Sequence, residues 1–159
     1  MPEKLYISWD EFHRHTRELA QKLKANNYSK IVAVSRGGLL PAGILAYELN
    51  IRNVEVINMS SYDGETQRQD KDITVKADIG TVDEQTLIVD DISDTGKTFN
   101  LLRPRFPRAA FVSVYAKRQG TAAVDVYVRD IPDVWLVFPW DYTSSTLRYA
   151  CEYLRRTQV

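Results

Sequence analysis

Residues 86–98 read Thr86-Leu87-Ile88-Val89-Asp90-Asp91-Ile92-Ser93-Asp94-Thr95-Gly96-Lys97-Thr98. The opening apolar, largely β-branched residues predict a strand covered on both faces. Asp90, Asp91 and Asp94 stand where that strand meets a loop, and carboxylates so close repel one another unless a cation or a hydroxyl-rich ligand satisfies them. The residues that follow, Thr95 to Thr98, are small or hydroxylated and open a helix, whose free amides and dipole favour an anion. Acids on one side and an anion cradle on the other suit a phosphorylated sugar carrying Mg²⁺. A capped helix with solvated acids would account for one aspartate but not for this whole run. Gly96-Lys97-Thr98 also invites a nucleoside-triphosphate P-loop, but that motif needs glycine at position 91, which is an aspartate.

Working outward, Ile31 to Val34 repeats the buried-strand pattern and breaks at Ser35-Arg36-Gly37-Gly38. Two glycines after a strand permit close backbone approach to a ligand, and Arg36 supplies a fork matched to phosphate oxygens. Beside the acidic loop this predicts a second anion subsite. A helix is expected over 39–49 with Pro41 in its permitted first turn, and another after Ser8, where Ser8 and Glu11 have capping-box spacing. Further strands are expected at 54–59, 111–115, 124–128 and 135–137, a short helix at 99–103, and a last helix at 144–156 with Leu147, Ala150, Cys151 and Leu154 on one face. Strands alternating with helices imply a mainly parallel α/β sheet with helices on both faces. Its ligands should sit at the carboxyl ends of the strands, which places the two loops together on one edge. The polar stretch around 60–76, with Gly64 and no apolar spacing, reads as a mobile surface loop.

The chain has 159 residues, enough for one domain, taken as 1–159. Lys+Arg and Asp+Glu are both 21, so no global basic field exists to hold nucleic acid. The best local basic cluster, Arg103, Arg105 and Arg108, reads as a solvated face. One cysteine and two histidines rule out an intrachain disulfide and argue against an N/S zinc site, leaving a hard, oxygen-bound ion as the expected metal. The N-terminus lacks a signal-peptide pattern, and no apolar run approaches the roughly 18 residues that span a bilayer.

The run LIVDDISDTGKT resembles the 5-phosphoribosyl-1-pyrophosphate (PRPP) signature of the type I phosphoribosyltransferases. VSRGGLLPAGILAYEL, SSYDGETQR, the Ala116-Lys117 pair and DIPDVWLVFPWD are similar to the purine-salvage members of that family, in the same order and spacing, from about Leu5 to Asp141. The resemblance implies their fold, with a small hood and a mobile loop. It implies transfer of phosphoribose to N9 of a 6-oxopurine (guanine, xanthine, hypoxanthine), giving the nucleoside monophosphate and pyrophosphate, with Mg²⁺ as cofactor.

Carried over by position, Arg36 and Gly37 would bind pyrophosphate across a cis peptide, and Arg68 would reach it from the loop. Asp90 and Asp91 would hold the ribose hydroxyls and the metal, with Asp91 the metal ligand. Asp94 would be the acid/base beside purine N7. Thr95, Gly96, Lys97 and Thr98 would bind the 5′-phosphate. Lys117 would donate to O6, Trp135 would stack on the ring, and the Leu136 carbonyl would meet the 2-substituent. The alternative for Trp135 is core packing, and for Lys117 a surface charge beside Arg118. Lys97 stands where family members often have glycine, and Val137 where one has an acid. The resemblance further implies a cytoplasmic homo-oligomer, a tetramer, with loose association at the inner membrane, PRPP and a base as partners, and no nucleic acid. A transferase for another base and a non-catalytic regulator on the same fold are the rival readings.

Overall fold

The strands and helices alternate as expected in this computed structural model, which describes residues 3–59, 79–142 and 147–157. In chain order they are β1 (Lys4–Tyr6), α1 (Trp9–Leu23), β2 (Lys30–Ser35), α2 (Leu39–Glu48), β3 (Asn53–Asn58), β4 (Thr86–Ser93), α3 (Lys97–Leu102), β5 (Ala110–Lys117), β6 (Arg129–Ile131), β7 (Trp135–Val137) and α4 (Leu147–Thr157). The expected loop around 60–76, and Arg68 within it, lie outside the described residues.

Five parallel strands form the main sheet in the order β3-β2-β4-β5-β6. The chain winds from β2 outward to β3, then returns past β2 to β4 and winds the other way. The switch point therefore falls between β2 and β4, where α/β sheets bind ligands. Two cores sandwich the sheet. Ile31, Ala33, Leu87, Val89 and Val112 pack under Phe12 and Leu19 of α1 and Leu45 of α2. Val32, Val34, Ile88 and Phe111 pack on Phe99 and Leu102 of α3. Central strands buried on both faces are why these segments read as unbroken apolar runs rather than alternating ones.

Local chemistry sets the element ends. The Ser8 hydroxyl accepts from the Glu11 amide at 3.1 Å, and the Glu11 carboxylate accepts from the Ser8 amide at 2.9 Å, so the capping box forms as read. β1 and β7 make a separate two-stranded parallel sheet, the hood, pairing Lys4 with Trp135, Leu5 with Leu136 and Tyr6 with Val137. β1, at three residues, was too short to leave a periodic signal.

Two expectations need correction. Residues 124–128 do not form a strand: one bridge joins Val126 to Val112, and the strand in that region is β6. Backbone bonds still join this segment to β5, among them the Asp125 amide to the Phe111 carbonyl at 2.8 Å and the Val128 amide to the Val114 carbonyl at 3.0 Å, and the Asp125 carboxylate also accepts from the Phe111 amide at 2.8 Å and pairs with Arg103 at 3.1 Å. On α4 the covered face is Ala150 with partly buried Tyr153 and Leu154; Leu147 and Cys151 are exposed. No helix among the described residues is long and apolar enough to cross a membrane.

Candidate active site

The crevice opens because two neighbouring strands part. β2 and β4 pair from Lys30–Thr86 to Ala33–Val89, and both then continue without pairing. The loop after β2 turns back into the gap: the Gly38 amide donates to the Val34 carbonyl at 2.8 Å. A Cβ on Gly38 would lie 2.2 Å from the Val89 carbonyl oxygen, so only glycine fits there. The peptide between Ser35 and Arg36 is cis, one bond before the Arg36-Gly37 pair. Arg36 is exposed at the mouth of the crevice.

β4 breaks its alternation at the acids. Val89 and Ile92, three residues apart, both pack on the α1/α2 side. The Asp90 carboxylate accepts from the Asp91 amide at 2.9 Å, and the Asp91 carboxylate from the Ile92 amide at 2.7 Å. Such irregularities re-aim side chains next to sites. Asp91 is aimed at the glycine loop: a Cβ on Gly37 would meet its Oδ2 at 2.4 Å. Asp90 faces the other way, lining a cavity of about 80 Å³ with residues 92–99. The two anion loops thus meet on one edge, as their placement after adjacent strands implies.

Burial, and then the charge of Asp91, push the Asp90 carboxyl well above the ordinary carboxylate range. Burial also raises Asp91, and the charge of Asp141 raises it further. Asp141 is a residue that sequence reading did not single out. It follows the hood strand by four positions and binds the Phe138 amide at 3.2 Å, and nothing in its local pattern announces a long-range approach to Asp91.

Gly96 adopts φ +80, a conformation that favours glycine, and turns β4 into α3. Behind this loop lies the 3-10 segment 118–123. The Ser93 hydroxyl donates to the Gly120 carbonyl at 2.8 Å. A Cβ on Gly120 would lie 2.1 Å from the Ser93 carbonyl oxygen. Lys97 and Thr95 are exposed, and Thr98 is half-buried.

Lys117 ends β5 and is no surface charge. It is 8% exposed, and its Nζ pairs with Asp94 Oδ1 at 3.2 Å. Trp135 is the reverse, 62% exposed although large and apolar, so core packing does not explain it. The Trp135 amide donates to the Glu3 carbonyl at 2.8 Å, and the Val137 carbonyl accepts from the Ile7 amide at 3.0 Å. Backbone groups along a strand alternate between its two edges, so the Leu136 amide and carbonyl point away from β1. Val137 is buried and pairs with Tyr6. Every residue singled out except Arg68 is described; the two anion loops and Lys117 gather at the carboxyl edge, with the hood beside them. The arginine cluster is largely neutralised: Arg103 pairs with Asp125 and Arg108 with Glu84.

A family model, the phosphoribosyl transferase domain, matches residues 8–146, spanning both loops, Lys117 and the hood strand β7. The chain belongs to the phosphoribosyltransferase family. Xanthine-guanine phosphoribosyltransferase of Idiomarina loihiensis is 51% identical to this phosphoribosyltransferase over 142 residues, 86% of each chain. A purine phosphoribosyltransferase from Pyrococcus horikoshii superposes with a TM-score of 0.75 at 30% identity, covering 89% of this chain and 95% of that one. The xanthine-guanine-hypoxanthine phosphoribosyltransferase of Helicobacter pylori shares the fold, with a TM-score of 0.69 at 24% identity, covering 92% of this chain and 99% of that one. The phosphoribosyltransferase fold accounts for the mainly parallel sheet and the site at its carboxyl edge, and the activity is that of a purine-salvage transferase.

Proposed function

We propose that this phosphoribosyltransferase uses PRPP and a 6-oxopurine, guanine or xanthine with hypoxanthine as a third substrate. The observation that carries the reading is the buried Lys117 ammonium paired with Asp94, an acid of the loop that lines the cavity after β4. A buried donor accepts the 6-oxo group and rejects adenine, whose amino group leaves it unpaired. Trp135 offers a stacking platform worth about 1–3 kcal/mol per base. The outward-facing Leu136 carbonyl suits the 2-amino group of guanine.

In the reaction the bond from C1 to pyrophosphate breaks as C1 bonds to N9, and the proton leaving the base goes to Asp94. The amides and hydroxyls of Thr95–Thr98 hold the 5′-phosphate; Arg36 and the Gly37 backbone hold the departing pyrophosphate, with Arg68 as a further arm. The chain's contribution is chiefly positioning and charge neutralisation. Asp90 and Asp91 fit Mg²⁺: burial and neighbouring acids raise both carboxyls, and this ion takes one or two carboxylates and completes its shell with substrate and water oxygens. When bound, it supplies charge neutralisation for the pyrophosphate.

The proposal extends to a homo-oligomer that works in the cytoplasm. α2 is apolar on all sides yet covered on one, leaving Leu39, Gly43 and Tyr47 in a line beside exposed Val54 and Val56 of the edge strand β3. A stripe centred on a glycine lets two copies of α2 approach closely about a two-fold axis.

Initial rates with PRPP, Mg²⁺ and each of guanine, xanthine, hypoxanthine and adenine test the reading. Nucleotide should form with the three oxopurines and not with adenine. Turnover of adenine at a rate comparable to guanine would overturn the base assignment.

A further inference from the structure

We propose that α4 is a positioning element for the purine: Tyr153 of α4, with Tyr142, clamps β1, and β1 holds the strand that carries Trp135 and Leu136. This rests on the reading of the hood strand as the purine platform.

The hood is a ribbon of three residue pairs. Two strands alone are marginal in water and need cover on their faces. One face is provided for: Leu5 and Leu136, directly paired, pack into the core on the α1 side. The opposite face carries Tyr6 paired with Val137, and Lys4 paired with Trp135, because paired residues share a face. Val137 is nonetheless 6% exposed, so this face too is covered at its Tyr6 end.

The cover comes from the chain after the hood. The Tyr6 ring lies 5.2 Å from that of Tyr153 and 6.3 Å from that of Tyr142. The Tyr142 hydroxyl donates to the Ile7 carbonyl at 2.6 Å, and the Ile7 amide donates to the Val137 carbonyl at 3.0 Å. These two bonds run in series from residue 142 through the end of β1 into β7. Burial pushes the Tyr142 hydroxyl up to about 12, so it keeps its donor proton at neutral pH. α4 buries Ala150 fully and begins just past residue 146, where the family match ends. It lies beyond the residues that the family model matches, and its contacts with β1 fall on the strand beside the base platform. Tyr142 and Tyr153, both past the hood strand β7, thus supply the clamp, while the PRPP loops follow β2 and β4. The clamp should act on the base and leave PRPP alone.

The test is steady-state kinetics of Tyr153→Ala, Tyr153→Phe, Tyr142→Phe and Trp135→Ala, varying guanine and PRPP separately. Tyr153→Ala should raise the guanine KM about 3- to 10-fold, the scale of one lost ring pair, with kcat and the PRPP KM within about 2-fold. Tyr153→Phe, which keeps the ring, should restore the guanine KM. An unchanged guanine KM in Tyr153→Ala overturns the clamp, and so does a parallel rise in both KM values, which marks general loosening. If Tyr153→Ala does not fold, Tyr142→Phe decides: a guanine KM raised with PRPP spared supports the clamp, and an unchanged one overturns it. Trp135→Ala separates the two readings. If it leaves the guanine KM unchanged, the platform itself is wrong; if it responds while Tyr153→Ala is silent, only the clamp fails.

Discussion

In the proposed reaction the Lys117–Asp94 pair joins base recognition to proton transfer. At 3.2 Å each group satisfies the other, and on this proposal an arriving base would take the ammonium's hydrogen bond and pass its proton to the carboxylate. Lys117→Met keeps the length and removes the donor. It should cut kcat/KM for hypoxanthine by about 10²–10³, as loss of one preorganised donor does, while leaving the PRPP KM nearly unchanged. Competing hypoxanthine against adenine would show the discrimination collapse. Asp90 tells a second story. Its carboxyl is raised by burial and by Asp91, so ionising the pair costs the ligand-free fold stability. That stability is present at low pH and is lost as pH rises through the raised range. Asp90→Asn should therefore raise the ligand-free Tm by about 2–4 °C at pH 7, corresponding to roughly 1 kcal/mol, while turnover falls sharply. In melts run toward pH 4 the gap between variant and parent should shrink. The acidic run was legible because three carboxylates after an apolar strand have few other uses. Asp141 was not, because its approach to Asp91 depends on where the hood places the chain.

At the level of elements, the loop after β4 is backed by a segment that sequence reading passed over. Residues 118–123 look like an ordinary connection, yet Gly120 sits under Ser93 and Asp94 with no room for a methyl group. Gly120→Ala should force the Ser93–Asp94 backbone outward, lower stability by about 1–3 kcal/mol as overpacking does, and raise the PRPP KM. Thermal melts and PRPP titration would check both. Arg103 supports the same segment, bonding the Ala123 carbonyl at 2.8 Å and lying 4.4 Å from the Phe111 ring centroid. The strand expected at 124–128 came close: alternation of valines with polar residues is the pattern of a half-exposed strand, and the segment does run along β5 with backbone bonds and one bridge, but the regular ladder begins only at Arg129. The buried strands β2, β4 and β5 were legible because burial on both faces leaves an unbroken apolar run.

For the molecule as a whole, alternation of strands and helices made the parallel sheet legible, and the carboxyl ends of its strands pointed to the edge where the two loops meet. The hood was harder to read, since β1 and β7 are three residues each and 131 positions apart at Lys4 and Trp135. Self-association belongs to this scale. Tyr47, 93% exposed, lies on the bare stripe of α2, and Tyr47→Arg should shift sedimentation toward a smaller species while keeping the fold by circular dichroism. An unchanged sedimentation coefficient would move the interface elsewhere. The parting of β2 and β4 has one more consequence. The glycine loop and the acidic loop follow strands that are neighbours in one sheet but no longer paired, so the sheet fixes their separation and opens it beyond the spacing of about 4.8 Å between paired strands. The hood hangs on a different ribbon. A hood transplanted from a relative with other tastes in bases should thus retune the acceptor without disturbing the donor half, making the protein a natural chassis for specificity grafts.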